Sequence, residues 1–256
     1  MQASAKEIKK IKLVIPSPPA DAKHVDMLSE LDLQKLKPKV GFICKETMEL
    51  LQREVCNDEH PDWEDLRTKF LTAGVASRVL SESTYGSGGY GSYSNLLRWY
   101  KDKDFREREK ADLKKNPFVQ HGLMYQSEGA AMYSSKTGLT LVPIGFVCGP
   151  LQKTNGFAEV PEYISATFDY GVLDYPIVVE LKCPNSMPKN WQEKHWVQCQ
   201  HQLQLARIEV LHLVFYFPPT IHGRGKLVVK VVNVNSNWFE RVKPQYDKFW
   251  KLIKSD

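Results

Sequence analysis

Asp169 is followed by ten residues and then by Glu180, Leu181 and Lys182, the last three inside the apolar run IVVELK. Side chains alternate along a strand, so Glu180 and Lys182 share one face while Leu181 points into the opposite layer. An interior strand position is ordinarily apolar, and carboxylate and ammonium groups there are costly unless they pair or bind metal. The intervening LDYP has turn character and sets Asp169 on an antiparallel neighbour strand, bringing its carboxylate to that of Glu180. Two carboxylates and a lysine so placed form a hard-oxygen site for Mg2+ or Mn2+, the core of a metal-dependent phosphodiesterase. Taken alone the pattern is weak, because an acid and a lysine two apart on an exposed edge strand form a surface pair worth about 0 to 1 kcal/mol.

Three further features strengthen it. Glu128 lies in HGLMYQSEGAAMY, where Phe118 to Tyr133 reads as a helix with apolar Leu123, Met124, Ala130 and Ala131, and with Gly122 and Gly129 allowing close backbone approach. A single helix acid is more often solvated, but this one precedes the strand-like TLVPIGFV and the Asp169 strand. In HWVQCQHQLQLA, Trp196, Val197, Leu203 and Leu205 predict an amphipathic helix packed on the sheet, from which Gln198 reaches back toward Glu180 and Lys182. Glutamines at 198, 200, 202 and 204 cannot all lie on an outer face. Trp63 and Arg67 stand four apart on the helix-compatible segment DWEDLRTKFLTAGVASRVL, and a guanidinium fork suits phosphate.

The order W-x-x-x-R, L-T-A at Leu71 to Ala73, G-x-x-x-x-x-E-x-x-A (Gly122, Glu128, Ala131), S-x-x-x-D (Ser165, Asp169), VVELKCP and W-V-Q-x-Q resembles the lambda-type exonucleases. These form the viral alkaline exonuclease and YqaJ-like recombinase branch of the PD-(D/E)xK nuclease superfamily. The resemblance spans about Asp62 to Phe217 and is specific as a joint pattern, although no single motif is. It implies an α/β, mixed α+β fold with a restriction-endonuclease-like core, a central mixed β-sheet flanked by helices. It also implies Mg2+-dependent hydrolysis, with Mn2+ as substitute, an alkaline optimum, and digestion of double-stranded DNA from a 5′ end in viral or phage-type recombination. A single-strand-annealing recombination protein is the implied partner and a homo-oligomer, a trimeric ring, the implied assembly.

Carried over residue by residue, Asp169 and Glu180 resemble the metal-ligand carboxylates, with the Leu181 backbone carbonyl as a further ligand. Lys182 resembles the lysine that positions the attacking water. Glu128 resembles the helix acid that binds or orients metal and water, and Gln198 the glutamine adjoining the lysine. Arg67 resembles the arginine that grips a terminal 5′-phosphate, and Thr167 offers a hydroxyl to phosphate. Family members commonly have serine where Gly74 follows Thr72-Ala73, and S-P-D-G where this chain has T-F-D-Y-G. Cations beside Lys182, together with partial desolvation, predict a lowered pKa for its ammonium. The alternatives are an endonuclease of the same superfamily, which shares the metal core, and an inactive nucleic-acid-binding module, which the presence of Glu128, Asp169, Glu180 and Lys182 disfavours.

The elements that must position these residues follow from pattern. Residues 1–39 are rich in lysine and proline and predict a flexible arm, leaving 40–256 as one nuclease domain with its core motifs in 62–217. Phe42 to Val55 predicts an amphipathic helix, and Tyr85 to Tyr93 (YGSGGYGSY) a loop between helical stretches. Val210 to Phe217 and Lys226 to Val234 have the β-branched and aromatic signature of strands. Trp238 to Lys254 predicts a closing helix whose Phe239, Val242, Tyr246, Trp250 and Ile253 form an apolar stripe. The 256 residues, 42% hydrophobic and 25% charged, suit one domain with a sizeable core, and a formal charge of +5 mildly favours a polyanionic partner. No apolar run is long enough to span a membrane or form a signal peptide, which predicts a soluble intracellular protein, in the nucleus or cytoplasm of a host cell if viral. Five cysteines with no CxxC pair predict reduced thiols and argue against zinc, and His195 and His201 fit a helix surface or core better than a ligand set.

Overall fold

The computed structural model describes residues 63–80, 93–149, 151, 156–186, 191–220 and 225–255. The expected arm at 1–39, the helix at Phe42 to Val55 and all of the Tyr85 to Tyr93 loop except Tyr93 lie outside them. In chain order the elements are α1 (Trp63–Thr68), β1 (Leu71–Thr72), a 3-10 turn (Ala73–Val75), α2 (Ala76–Leu80), α3 (Tyr93–Lys101), α4 (Lys103–Lys115) and α5 (Pro117–Thr137). There follow β2 (Leu141–Val147), β3 (Ile164–Val172), β4 (Ile177–Lys182), α6 (Trp191–Ala206), β5 (Val210–Phe217), β6 (Lys226–Asn233) and α7 (Trp238–Lys254).

The sheet is mixed, as expected. β1 runs parallel to the first residues of β3, with Leu71 opposite Ile164, and β2 pairs antiparallel with the rest of β3. β4 is antiparallel to β3 and parallel to β5, and β6 closes the sheet antiparallel to β5. β4 is the run IVVELK, buried on both faces as a strand between two neighbours and two helical layers must be. Under one face lies a core built from α2, α3, α6 and α7, with Val79, Leu96, Trp196, Leu203, Trp238, Tyr246 and Phe249 among its buried members. Under the other, α5 buries Tyr133 with Leu139, Val179, Leu181 and Tyr216. The α7 stripe holds: Phe239, Val242 and Tyr246 are buried, and Trp250 and Ile253 pack against the same core.

Local chemistry sets the helix ends. The Asp102 side chain accepts from the Phe105 N–H at the start of α4, and Asn116 caps α5 ahead of Pro117. Gly138, at φ 71°, ends α5 in the left-handed region that favours glycine. The segment expected as one helix from Asp62 to Leu80 is instead broken. Leu71 and Thr72 are extended, and the Leu71 N–H donates to the Tyr163 carbonyl at 2.7 Å, so a pairing remote in sequence overrides the local helical pattern. α5 also rotates away from the face expected of it. Leu123 and Met124 are exposed (59% and 69%), and the buried stripe runs through Gly129 and Tyr133. No helix among the described residues is long and apolar enough to cross a membrane.

Candidate active site

The β3–β4 ladder covers only Tyr170 opposite Val179 and Gly171 opposite Val178. It ends just before Asp169, and there the strands form a fork. Leu181, whose N–H has lost a ladder partner on this side, donates instead to Asp169 Oδ2 at 2.7 Å. The turn that joins the strands carries Asp174 at φ 64°, a left-handed position that aspartate tolerates. Ile177, Val179 and Leu181 pack under α5 while Val178 packs under α6, so Glu180 and Lys182 face α6, as alternation requires.

Glu180 is the hub of the fork and is only 3% exposed. Its Oε1 accepts from Lys182 Nζ and, at 2.7 Å, from Gln198 Nε2, and its Oε2 accepts from Gln202 Nε2 at 2.6 Å. The expected approach of Gln198 to the strand is therefore present, through the carboxylate that it shares with the lysine. The Lys182 side chain is 29% exposed and opens toward the mouth of the fork. The expected lowering of its pKa belongs to a cation-loaded site. Burial lowers it, but the Glu180 and Asp169 carboxylates outweigh burial and hold the ammonium above its ordinary range.

Gln126 on α5 approaches Asp169, its Nε2 3.3 Å from Oδ1, and the pattern argument passed it over. Its signal lay in helical spacing. Gln126 stands three residues before Gly129 and seven before Tyr133, the buried positions of α5, a polar residue where an apolar one is the rule. Glu128 sits beside that stripe and is exposed, and its Oε1 accepts from the Tyr216 hydroxyl at 2.5 Å. Burial and then Glu128 push the Tyr216 hydroxyl up to about 12. Glu128 also lies within electrostatic range of the fork. The Cys183 thiol, pushed up to about 11 by burial first, responds to Asp169, Lys182 and Glu128 together. His121 Nδ1 lies 2.9 Å from the Cys183 carbonyl, fixing the start of α5 against the end of β4.

Of the remaining expected residues, Thr167 adjoins the fork, and Arg67 and Gly74 belong to the segment ahead of α3. Arg67 is half-buried on α1 with its guanidinium 5.8 Å from the centre of the Trp99 ring, and it acts electrostatically on Tyr100 and on Glu109, itself only 6% exposed. Gly74 is exposed with open space around its Cα. Thr167 is two residues before Asp169 on β3, and its carbonyl accepts from Gln202 at 3.1 Å. The histidines expected in a core or on a helix surface are accounted for: His201 is fully buried, and His195 packs edge-on to Phe215. Cys148, Cys183 and Cys199 are free thiols.

The donors at the fork suit a hard divalent cation. Two carboxylates against one ammonium leave a net negative charge, and carboxylate oxygen is the donor that such a cation takes. Among the described residues no three His, Cys, Asp or Glu side chains converge as a metal-binding group. The third acid, Glu128, is bonded to Tyr216 instead.

No protein-family model and no curated protein sequence matches the chain. Solved structures do. The fold is similar to that of the alkaline exonuclease LHK-Exo from Laribacter hongkongensis, with a TM-score of 0.55 at 18% identity over 75% of this chain and 92% of that one. The same enzyme in complex with dAMP aligns over the same shares with a TM-score of 0.56 at 17% identity. A phage-related exonuclease from Haemophilus somnus 129PT aligns over 72% of this chain and 93% of that one, at 13% identity and a TM-score of 0.46. At these identities the likeness to LHK-Exo is one of fold.

Proposed function

We propose that this protein is a metal-dependent deoxyribonuclease that hydrolyses phosphodiester bonds of double-stranded DNA, working from a 5′ end. One observation carries the proposal: where the β3–β4 ladder stops, Asp169 accepts from the Leu181 N–H and Lys182 donates to Glu180 within electrostatic reach of Asp169. The fold shared with an alkaline exonuclease that binds dAMP supports the same chemistry.

Asp169, Glu180 and the Leu181 backbone carbonyl would hold Mg2+, or Mn2+ in substitution, which when bound supplies Lewis-acid stabilisation of phosphoryl oxygens and lowers the pKa of water. The chain's own groups supply the rest. Lys182, kept protonated by Glu180 and Asp169, donates to the attacking water or to a phosphate oxygen and stabilises developing negative charge. Gln198 shares Glu180 Oε1 with Lys182 and so limits the positions open to the ammonium. The Leu181 N–H and Gln126 fix Asp169 from two sides, one from the strand and one from α5. Glu128, held at the rim by Tyr216, is the acid placed to orient water entering from the α5 side.

Arg67 and Thr167 are assigned to a terminal phosphate. An endonuclease of the same superfamily is the second reading, and the packing of Arg67 on Trp99, within the field of Glu109, favours it by engaging the guanidinium elsewhere. A homo-oligomeric ring and an annealing partner belong to the exonuclease reading. Hydrolysis of an end-labelled linear duplex is the test. Mg2+ supports it and excess chelator stops it, and activity undiminished by chelator would refute the metal dependence.

A further inference from the structure

Four glutamines recur at alternate positions on α6, and the three that follow Gln198 are fully buried. Gln200 and Gln204 are tied to the chain beyond β6. Gln200 Nε2 donates to the Asn233 carbonyl at 2.8 Å, its Oε1 accepts from the Asn235 N–H at 2.8 Å, and Gln204 Nε2 donates to the Asn235 carbonyl at 3.1 Å. Gln202 is different. Its Nε2 donates to Glu180 Oε2 on β4 at 2.6 Å and to the Thr167 carbonyl on β3 at 3.1 Å. It therefore bridges the two strands in the stretch where they have ceased to pair with each other.

The amide can sit only one way. Turned over, its oxygen would face a carboxylate and a carbonyl, both acceptors. In the orientation adopted, Oε1 is buried without a hydrogen-bond partner. What this amide contributes therefore comes through its nitrogen, which holds Glu180 and the Thr167 carbonyl at once.

We propose that Gln202 is a positioning residue of the nuclease site: it fixes the second oxygen of Glu180 and the opening of the β3–β4 fork, and thereby sets the affinity of the fork for a divalent cation. The inference rests on the metal-dependent reading given above. Groups that orient a metal-binding carboxylate from behind typically change metal affinity by about tenfold to a hundredfold when removed. Gln204 is a matched control on the same helix, because it is equally buried, also leaves its Oε1 without a partner, and bonds away from the fork.

The test is calorimetric titration of Mn2+ into the full-length wild type, Gln202→Met and Gln204→Met, without DNA, alongside thermal melting of each. Methionine keeps the length of the side chain and removes the amide. Gln202→Met is expected to bind Mn2+ about tenfold or more weakly and Gln204→Met within about twofold of wild type, while both melt lower. Equal weakening by the two methionine variants, or undiminished binding by Gln202→Met, would overturn the role of Gln202 while leaving the nuclease reading standing. Absence of Mn2+ uptake by the wild type would overturn both.

Discussion

The chemistry of the fork is concentrated in Glu180, whose two oxygens are contacted by a lysine and two amides. Glu180→Ala removes a ligand of the proposed cation site, leaves Lys182 and Gln198 without this acceptor and leaves Gln202 only the Thr167 carbonyl. Cleavage should fall by about a hundredfold to a thousandfold, the size of effect seen when one preorganised polar group is lost from an active site. The fold should weaken as well. Breaking a buried ion pair costs about 3 to 5 kcal/mol, and the partial exposure of Lys182 reduces that to about 2 kcal/mol, measurable as a lower urea midpoint. A melting curve that does not move would mean that the Glu180–Lys182 pair contributes nothing to stability. Arg67 calls for a different readout, because its contact with Trp99 makes Arg67→Ala destabilising whatever its role in phosphate binding. The informative quantity is the ratio of initial rates on a 5′-phosphorylated and a 5′-hydroxyl duplex. A charge-assisted contact predicts a wild-type ratio of about ten to a hundred, and Arg67→Ala should collapse it toward one. A mutant ratio equal to that of the wild type would release Arg67 from the phosphate site.

At the scale of elements, α5 and α6 bring their polar groups to the fork by different means. α5 approaches β5 through Gly129, where an added Cβ would stand 2.9 Å from Tyr216 Cβ and 3.1 Å from its Cγ. Those atoms are close to the backbone of a central strand and cannot swing aside. Gly129→Ala should therefore push the helix outward, strain the Glu128–Tyr216 hydrogen bond and cost about 1 to 3 kcal/mol, against which the better helix propensity of alanine returns at most about 1. Gly122 on the same helix has nothing within 4 Å of an added Cβ, so Gly122→Ala should stabilise by up to about 1 kcal/mol. Thermal melts of the two variants should move in opposite directions, and a shared direction would contradict this packing. The comparison also shows what the sequence conveyed. It revealed α5, its glycines and its acid, because those depend on local periodicity, but it assigned both glycines to close packing when only Gly129 has a neighbour. The strands β3 to β6, the helix α7 and the opposed acids were recognisable for the same local reason. The place where β3 and β4 part, and hence the roles of Gln126 and Gln202, depends on pairing between residues far apart in sequence, as does the break at Leu71 that interrupts the expected Asp62 to Leu80 helix.

Over the whole molecule, two buried histidines make stability depend on pH. His201 lies between the Ser165 carbonyl and the Tyr246 hydroxyl, His212 bonds the Tyr133 hydroxyl at 2.6 Å, and burial lowers both to about 4 from an ordinary 6.5. A lowered folded-state pKa means that the unfolded chain takes up the proton first. The contribution is thus complete above about pH 6.5 and is lost as the pH falls toward 4. Between pH 7 and pH 5 the two histidines together should remove about 4 kcal/mol, seen as a falling urea midpoint, and a midpoint constant over that range would contradict their burial as neutral rings. The three-layer architecture that buries them also frames the fork where the β3–β4 ladder stops, and this is the site proposed to cut DNA. The most direct measurement incubates linear and closed circular duplex with Mg2+ and the wild type, Asp169→Ala or Glu180→Ala. The wild type should shorten the linear duplex from its ends and leave the closed circle intact, and both variants should shorten the linear duplex at least about a hundredfold more slowly. Nicking of the closed circle by the wild type would move the protein to the endonuclease reading with the same residues at work, whereas wild-type-like digestion by Glu180→Ala would contradict the claim itself.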